Sequence, residues 1–236
     1  MISAIVLVGG GYDRKLLEKC LDSVAWTDEV VRVETGKLKG SFADWRNQGA
    51  KRASSDWLLY VDTDEEITSE LKNEILDTLG EMQTCSAYAI PRKNIIFGKE
   101  MKHCGLWPDY VLRLIKKDSL IAWTGELHEQ PEVKGKVGYL KKPLIHTKHK
   151  TLEEMVDKTN EWSEIEAELM FKAHHPKMNI LRFFSAMTRE FCLRMIKQMA
   201  FLDGVEGVIY AIYQVFSKSI SYAKLWEMQI NESRNI

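Results

Sequence analysis

Four acidic residues follow an apolar run in the stretch Asp56–Ile67, which reads DWLLYVDTDEEI. Asp62 and Asp64 are two residues apart, so on a straight strand both carboxylates would point to the same face. Carboxylates crowded at a strand end repel one another and are costly to remove from water, so the arrangement needs a positive partner. Mg²⁺ and Mn²⁺ prefer oxygen ligands, and Mg²⁺ commonly joins one or two carboxylates to substrate phosphates. The pattern therefore predicts a divalent metal site, with a solvated acidic turn at a helix N-terminus as the alternative.

The elements that must position this cluster are short apolar runs alternating with helical patterns. The predicted strands are Ile2 to Val8, Glu29 to Glu34 and Trp57 to Val61. The predicted helices are Asp13 to Ala25, a segment capped by Ser41 that ends near Ala53, and Thr68 to Leu79. This alternation predicts a parallel sheet with helices on its faces. Ligands of such sheets gather beyond the carboxyl ends of the strands, where the acidic cluster would lie.

The chain changes character after the first third. From Ala87 to Leu144, short strand-like pieces are divided by Gly, Pro and charged turns, which predicts an antiparallel or mixed extension of the sheet. Thr151 to Glu154 has the pattern of a capping box that opens an amphipathic helix, and the chain beyond Pro176 is helical, apolar and basic. We therefore predict an α/β domain over residues 1–150 and a helical region over residues 151–236.

Composition excludes several classes of function. The formal net charge of -1 argues against nucleic acid as a partner. The four cysteines form no Cys-x-x-Cys pair, which argues against a zinc site and predicts reduced thiols. The apolar N-terminus MISAIVLVGGG has no basic leader, and no apolar run approaches the ~20 residues of a spanning helix. We expect a cytoplasmic protein whose membrane contact, where there is one, is peripheral.

A set of ordered motifs gives the chain a resemblance to a known family. The segment FADWRNQGAKRASSDWLLYVDTDEEI, residues 42–67, resembles the nucleotide-sugar region of family 2 glycosyltransferases of the GT-A fold. The segments YAIPRKNIIFGKEMKHCGLWPDYVLRLIKK, GELHE, VGYLKKPLIH, TLEEMVDKTNEW and FLDG…YAKLWE follow in family order. Together they are similar to the subgroup of bacterial lipopolysaccharide-core β-1,4-glucosyltransferases. The resemblance implies a Rossmann-like mixed α/β sheet flanked by helices, with a C-terminal helical appendage.

The resemblance also implies a donor site at the sheet edge. Asp62-Thr63-Asp64 would be the Asp-x-Asp motif, with Asp64 holding a Mn²⁺ or Mg²⁺ that bridges the donor diphosphate. His146 matches a histidine that completes the metal shell, and its alternative is a strand-end histidine bonded to backbone. The expected donor is a nucleotide-diphosphate sugar, with UDP favoured. The residues expected to bind it are Val8, Glu34, Arg46, Asp62 and Thr63.

Sugar transfer with inversion needs a carboxylate that takes the proton from the acceptor hydroxyl. Glu129, in GELHE, resembles the acidic position after the acceptor loop of the family and is the predicted base. Asp109, in WPDY, is the second candidate. An ordinary ion pair is the alternative for each of these carboxylates.

The expected acceptor is a hydroxyl of a glycan or glycolipid of the cell envelope. The residues predicted to bind it are Trp107, Arg113 and His128, with Tyr110 as a further stacking residue. The aromatic residues could equally be part of the core, and Arg113 could pair with Asp109 instead of an anionic acceptor.

The C-terminal region has a basic and aromatic composition. From Lys172 to Lys224 the bases outnumber the acids, and aromatic residues are interleaved with them. This favours helices that lie in the interface of an anionic membrane. The alternative is a pair of helices packed on the catalytic domain or on a second subunit.

Two other functions remain open at this point. A magnesium-dependent phosphohydrolase also carries an Asp-x-Asp motif, although its nucleophile usually follows the first strand. A non-catalytic scaffold of the same fold is the second, because VGGGYD and ETGKLKG depart from the loops that usually follow the first two strands of the family. The triple glycine Gly9 to Gly11 is interpreted as a flexible loop, since Arg14 stands where a dinucleotide fingerprint needs glycine.

Overall fold

The structure is a computed structural model that describes residues 1–9, 11–37, 40–81, 84–125 and 129–234. The chain forms two compact units. The first contains Met1–Asn94 and Pro108–Lys148, and the second contains Ile95–Trp107 and His149–Ile236.

Strands and helices alternate at the start of the chain, and helices dominate its end. The strands are β1 (Ile2–Val8), β2 (Glu29–Glu34), β3 (Trp57–Asp62), β4 (Glu65–Glu66), β5 (Ala87–Ile96), β6 (Lys99–Glu100), β7 (Asp109–Lys116), β8 (Leu120–Thr124), β9 (Gln130–Val133), β10 (Val137–Tyr139) and β11 (Leu144–His149). The helices are α1 (Arg14–Val24), α2 (Phe42–Arg52), α3 (Ser69–Gly80), α4 (Leu152–Lys172), α5 (Ile180–Phe191) and α6 (Gly204–Arg234). A π-helical segment, Cys192–Lys197, follows α5, and a 3₁₀ turn, Ala200–Asp203, precedes α6.

The main sheet is mixed. Its strand order is β2-β1-β3-β7-β5-β11-β4, and β10 pairs with β5. Strand β1 is parallel to β2 and β3, whereas β7 is antiparallel to β3 and β5. Strands β8 and β9 form a separate antiparallel pair. The predicted α/β class, with a mixed sheet flanked by helices and a helical C-terminal region, is confirmed.

Side chains of the central strands alternate between two apolar layers. Ala4, Val6 and Val8 pack with α1 and α3 on one face of the sheet. Ile5 and Leu7 pack on the opposite face, with α2 and β8. Because both faces are covered, these strands are apolar along their whole length, which is the pattern that the sequence showed.

Helix α2 begins with a complete capping box. The Ser41 hydroxyl accepts from the backbone of Asp44, and the Asp44 carboxylate accepts from the backbone of Ser41. The box predicted for α4 is only half formed. The Thr151 hydroxyl accepts from the backbone of Glu154 as expected, but the Glu154 carboxylate accepts from the backbone of Lys150.

The second unit is a set of packed helices with two cores of its own. Helices α4 and α6 are joined by polar contacts, such as those of Glu166 with Lys218 and Ser221. Asp203 fixes the segment after β6, because its carboxylate accepts from the backbone of Lys102 at 3.0 Å and of His103 at 2.7 Å.

Gly49 allows α2 to lie close to the sheet. A Cβ atom at this position would lie 2.5 Å from Cγ2 of Ile5 and 3.3 Å from Cγ2 of Val33. No real Cβ approaches a neighbouring side chain so closely, so the packing distance of α2 depends on glycine. Arg46 lies one turn earlier on the same helix, so its position depends on this approach as well.

We expect Gly49→Ala to lower the free energy of unfolding by roughly 1–3 kcal/mol, because the added methyl group overpacks the layer between α2 and β1. Urea unfolding followed by circular dichroism measures the loss. Gly80→Ala is the matched control, since a Cβ there meets no atom within 4 Å. Equal stability of the two variants would contradict the packing argument.

Candidate active site

The carboxyl ends of the three parallel strands bring the predicted donor-site residues to one edge of the sheet. Val8 at the end of β1 is in register with Glu34 at the end of β2. Leu7 is in register with Asp62 at the end of β3. The side chain of Val8 is buried in the core, whereas Glu34 is exposed. Thr63 and Asp64 form the turn from β3 to β4 and are half-buried.

Asp62 lies between two buried arginines. Arg46 Nη2 donates to Asp62 Oδ1 at 2.8 Å, and Arg113 Nη2 donates to Asp62 Oδ2. Arg46 is 2% exposed and Arg113 is 5% exposed, so little water screens their charges from the carboxylate of Asp62. Burial by itself would raise the pKa of Asp62, but Arg113 and Arg46 outweigh it and hold the pKa well below its usual range.

Glu65 extends the pairing to the next strand. Its side chain is fully buried, and its Oε1 accepts from Arg113 Nη2 at 2.7 Å while Arg92 Nη1 lies 3.8 Å away. Its Oε2 accepts from the backbone of Asp62 at 3.0 Å. Burial would lower the pKa of Arg113, but Asp62 and Glu65 raise it above its ordinary value. Two of the four residues of the acidic cluster are therefore held by arginines.

Arg46 also holds the predicted base. Its Nε donates to Glu129 Oε1 at 3.2 Å, and the Glu129 side chain is 17% exposed. The guanidinium carbon lies 4.8 Å from the ring centre of Trp123, whose backbone is held by Asn47 through two hydrogen bonds of 3.0 and 2.8 Å. The neighbouring residues of α2 thus fix both Glu129 and the strand that precedes it. The donor contact predicted for Arg46 stays a prediction, and its burial favours a positioning role.

A second polar chain leads from Asp109 to Asp64. Arg92 Nε and Asn94 Nδ2 donate to Asp109 Oδ2 at 2.9 and 3.0 Å. This contact orients the Asn94 amide, so its Oδ1 faces His146 Nδ1 at 2.7 Å and accepts from it. His146 Nε2 then faces Asp64 Oδ2, 3.6 Å away. The alternative of a backbone hydrogen bond at Nδ1 of His146 is therefore replaced by a side-chain partner.

The carboxylates of this site outnumber its arginines. Three arginines, Arg46, Arg92 and Arg113, face five carboxylates, which are those of Asp62, Asp64, Glu65, Asp109 and Glu129. The excess is two negative charges. In the described part of the chain, Asp64 is the carboxylate of this set that no guanidinium group contacts, and its side chain is 32% exposed.

The donor set fits a metal ion that arrives with a phosphate ligand. Among the described residues, no group of three or more histidine, cysteine or acidic side chains forms a ready-made metal site. Asp64 and His146 supply one oxygen and one nitrogen, and the remaining positions would belong to diphosphate oxygens and water, as is usual for Mg²⁺. The residues present therefore suit a substrate-bridging ion better than a permanently bound one.

The predicted acceptor residues have different fates. Arg113 is buried and bonded to Asp62 and Glu65, so the predicted alternative of a pair with Asp109 is wrong, and its burial does not favour an acceptor contact. Trp107 belongs to the second unit and is 41% exposed. Tyr110 is exposed and meets the exposed Tyr139 edge to face, with ring centres 5.1 Å apart. His128 lies outside the described residues.

Gly9, which follows β1, lies unusually close to Thr35. A Cβ at Gly9 would lie 1.8 Å from the hydroxyl oxygen of Thr35, which follows β2 and is buried. Only glycine leaves room for the two loops to meet there. The flexible loop over Gly9 to Gly11 stays a prediction, and Gly10 lies outside the described residues.

Several residues of the site were not identified from the sequence. They are Glu65, Arg92, Asn94 and Tyr139. The strand alternation carries a partial signal, because Arg92 and Asn94 are two apart on β5 and so share a face with each other. Their partners lie 15 to 52 residues away in sequence, which no local pattern shows.

Comparison with known proteins adds little to this geometry. No protein-family model matches the chain. The similar solved structures include S. aureus TarS 1-349 in complex with UDP-GlcNAc, at 13% identity over 99% of this chain and 92% of that one, with a TM-score of 0.44. The same protein in complex with UDP gives 13% identity, 100% and 92% coverage and a TM-score of 0.41. Against a longer TarS structure the identity is 14%, and this chain covers 43% of its length, with a TM-score of 0.40. A likeness this distant does not transfer the ligands of TarS to this chain.

We expect Asp62→Asn to lower the free energy of unfolding at neutral pH, on the order of 3 kcal/mol, because it leaves two buried arginines without their shared carboxylate. The pKa of Asp62 is depressed in the folded state, so its contribution is present above the unfolded value of about 3.9 and is lost as the pH falls below it. The difference between the variant and the wild type should therefore shrink below about pH 4. Urea unfolding across pH 3 to 7 measures it.

The control is Asp118→Asn, at an exposed position of a surface turn, for which we expect little change at any pH. A constant difference between Asp62→Asn and the wild type down to pH 3 would show that the arginine pairing is not the source of the stability.

Proposed function

We propose that the protein is a glycosyltransferase that moves a sugar from a nucleotide-diphosphate donor, a UDP-sugar in the first instance, to a hydroxyl of a glycan or glycolipid acceptor. The proposal includes inversion at the anomeric carbon and an acceptor of the lipopolysaccharide or cell-envelope type. The observation that carries it is the carboxylate of Asp64, left without an arginine beside His146 in a site with two excess negative charges. This carboxylate lies at the edge of the sheet where ligands of such folds gather.

Asp64 and His146 would hold the divalent ion, Mn²⁺ or Mg²⁺. When bound, this ion neutralises charge that develops on the departing diphosphate. Asn94 keeps the Nδ1 proton of His146 in place, so that Nε2 remains the ring nitrogen facing Asp64. Asp62, fixed by Arg46 and Arg113, presents its remaining lone pairs at the 30% of its side chain that is exposed, where a ribose hydroxyl would donate.

Glu129 is the proposed general base. Arg46 binds its Oε1, and in the described part of the chain no group is bonded to its Oε2, which leaves one oxygen to receive the proton of the acceptor hydroxyl. Asp109 is engaged by Arg92 and Asn94 through the same oxygen, an arrangement that supports a positioning role toward His146. The exposed rings of Tyr110 and Tyr139 would offer apolar faces to an acceptor sugar.

The geometry does not favour the phosphohydrolase alternative. Its nucleophile would be the first aspartate of the motif, but each oxygen of Asp62 accepts from a buried guanidinium group. A carboxylate paired in this way is a poor nucleophile, because attack would remove its charge while both arginines stay buried.

The experiment that tests the function is a screen of UDP-, GDP- and other nucleotide-sugars with and without Mn²⁺, with thermal shift and nucleotide release as readouts. We expect stabilisation and slow nucleotide release with one nucleotide class. Hydrolysis of a simple phosphate ester without any sugar donor would favour the phosphohydrolase. Failure to bind any nucleotide diphosphate with Mn²⁺ would favour a non-catalytic scaffold.

We expect Asp64→Asn to weaken Mn²⁺ binding in the presence of UDP by at least about tenfold, because it removes the charged oxygen ligand. Titration of Mn²⁺ followed by electron paramagnetic resonance measures free metal directly. Glu66→Gln is the matched control, since Glu66 lies two residues further along and lines a different cavity with Lys19 and Lys72. Unchanged Mn²⁺ affinity in Asp64→Asn would remove Asp64 from the metal site.

We expect Glu129→Gln to lower kcat by about 10²–10⁴-fold while the thermal shift by UDP and Mn²⁺ is retained, because proton transfer is lost and donor binding is not. Asp109→Asn should instead weaken Mn²⁺ binding through Asn94 and His146. The reverse result, an active Glu129→Gln and an inactive Asp109→Asn with normal Mn²⁺ affinity, would make Asp109 the base.

A further inference from the structure

Helix α5 exposes large apolar side chains to solvent. Ile180, Leu181 and Phe184 are 86%, 80% and 74% exposed, and Phe191 continues the same side of the helix two turns further on. The opposite side is packed, with Ala186 buried among the helices of the second unit. Single exposed apolar residues are ordinary on protein surfaces, but a continuous group of this size marks an interaction site.

The beginning of α6, in the same unit, also exposes large apolar side chains. Val205, Ile209, Ile212 and Phe216 are all exposed, and they follow one another at intervals of four, three and four residues. This spacing places them on one side of the helix. Phe201 and Leu202, in the turn before the helix, are 52% and 55% exposed. We call these residues of α5, the turn and α6 the exposed apolar set.

The basic residues next to this set have no acidic partners in the part of the chain that the structure describes. They are Lys177, Arg182, Arg189 and Lys197, all exposed. The acids of the same segment are already engaged, Glu190 with Arg194 and Asp203 with His103. Several lysines elsewhere in the unit are paired, such as Lys218 with Glu166 and Lys224 with Glu164. The segment that exposes the apolar side chains thus carries four exposed cations without an acidic partner in the described residues.

No single helix in the described residues has the length and apolar character to cross a membrane. The pair Ile180–Lys197 and Ala200–Glu232 reaches that threshold only when taken together, and it is bent by 59° at the break. A shallow position, with helices lying along a surface, accounts for the basic residues as well as the apolar ones.

We propose that the exposed apolar set inserts into the outer part of an anionic lipid bilayer, with Lys177, Arg182, Arg189 and Lys197 bound to its phosphate headgroups. The charges distinguish this occupant from a second copy of the chain. A twofold interface on this surface would gather the eight cations of two copies in one contact whose acids, Glu190 and Asp203, are already engaged, and like charges repel. Anionic headgroups above hydrocarbon supply both the counter-charge and the apolar medium. The proposal rests on the second unit alone and does not depend on the transfer reaction.

Co-sedimentation with lipid vesicles tests the proposal with the full chain. The vesicles contain phosphatidylcholine alone or phosphatidylcholine mixed with phosphatidylglycerol. We expect binding to the mixed vesicles, weaker binding at high salt, and little binding to phosphatidylcholine alone. The double variants Ile180→Ser with Phe184→Ser, and Arg182→Gln with Arg189→Gln, should each lower the partition coefficient on the order of tenfold.

Two matched controls separate this surface from general loss of apolar or basic character. Leu76→Ser with Ile121→Ser removes exposed apolar side chains from the first unit. Lys158→Gln with Lys172→Gln removes ion-paired lysines of α4. Both should bind as the wild type does, and thermal melts confirm that all variants fold.

Three results would overturn the proposal. One is the absence of binding to the mixed vesicles, and another is equal binding by the α5 variants and the wild type. The third is a dimer that dissociates in Ile180→Ser with Phe184→Ser while no vesicle binding is seen, which would assign the surface to a second copy. None of these readouts requires nucleotide-sugar turnover, so they stand apart from a failure of the proposed function.

Discussion

The alternation of buried carboxylates and guanidinium groups at the carboxyl end of β3 is the constraint on which the rest of the site depends. Acidic and basic side chains alternate along one series of ion pairs. In order of contact, its members are Glu129, Arg46, Asp62, Arg113, Glu65, Arg92 and Asp109. Each interior member contacts two neighbours, so removing it weakens two ion pairs among largely buried groups. The series therefore acts as a unit, and it ties α2, β3, β4, β5 and β7 into one arrangement.

This constraint gives the two aspartates of the Asp-x-Asp motif different environments. Strand β3 ends at Asp62, and the turn at Thr63 and Asp64 breaks the alternation that would have placed both side chains on one face. Asp62 is consequently held by arginines, whereas Asp64 faces His146. Since His146 is oriented by Asn94, and Asn94 by Asp109, the orientation at Asp64 is set by the far end of the same charged network. One network thus both stabilises the sheet edge and leaves the Asp64 carboxylate without an arginine contact in the described residues.

The sequence predicts the elements of this site better than its contacts. Strands β1 and β2 were predicted at the observed bounds, and the end of β3 was predicted within one residue, because apolar runs and turn residues are local signals. The helix cap at Ser41 was equally readable. The sequence indicated that the acidic cluster needs a positive partner, and the partner predicted for it was a divalent metal ion. The arginines that neutralise this cluster are distant in sequence. Arg46 and Arg113 lie 16 and 51 residues from Asp62, and Arg92 lies 27 residues from Glu65. The pairing of β3 with β7 and of β7 with β5 brings Arg113 and Arg92 to the cluster, and the packing of α2 on the sheet brings Arg46. Both are properties of the whole fold.

In the helical unit, some cations are paired with carboxylates and others are not. Helix α4 is rich in acids, and those that face α6 are paired with its lysines, so the unit does not lack carboxylates. The cations beside the exposed apolar set are nevertheless left without them in the described structure. Water alone satisfies these cations but leaves Ile180 and Phe184 unfavourably hydrated. An apolar protein partner covers the side chains but removes the cations from water without compensation. An anionic headgroup layer over hydrocarbon, the occupant that we propose, would meet both requirements at once.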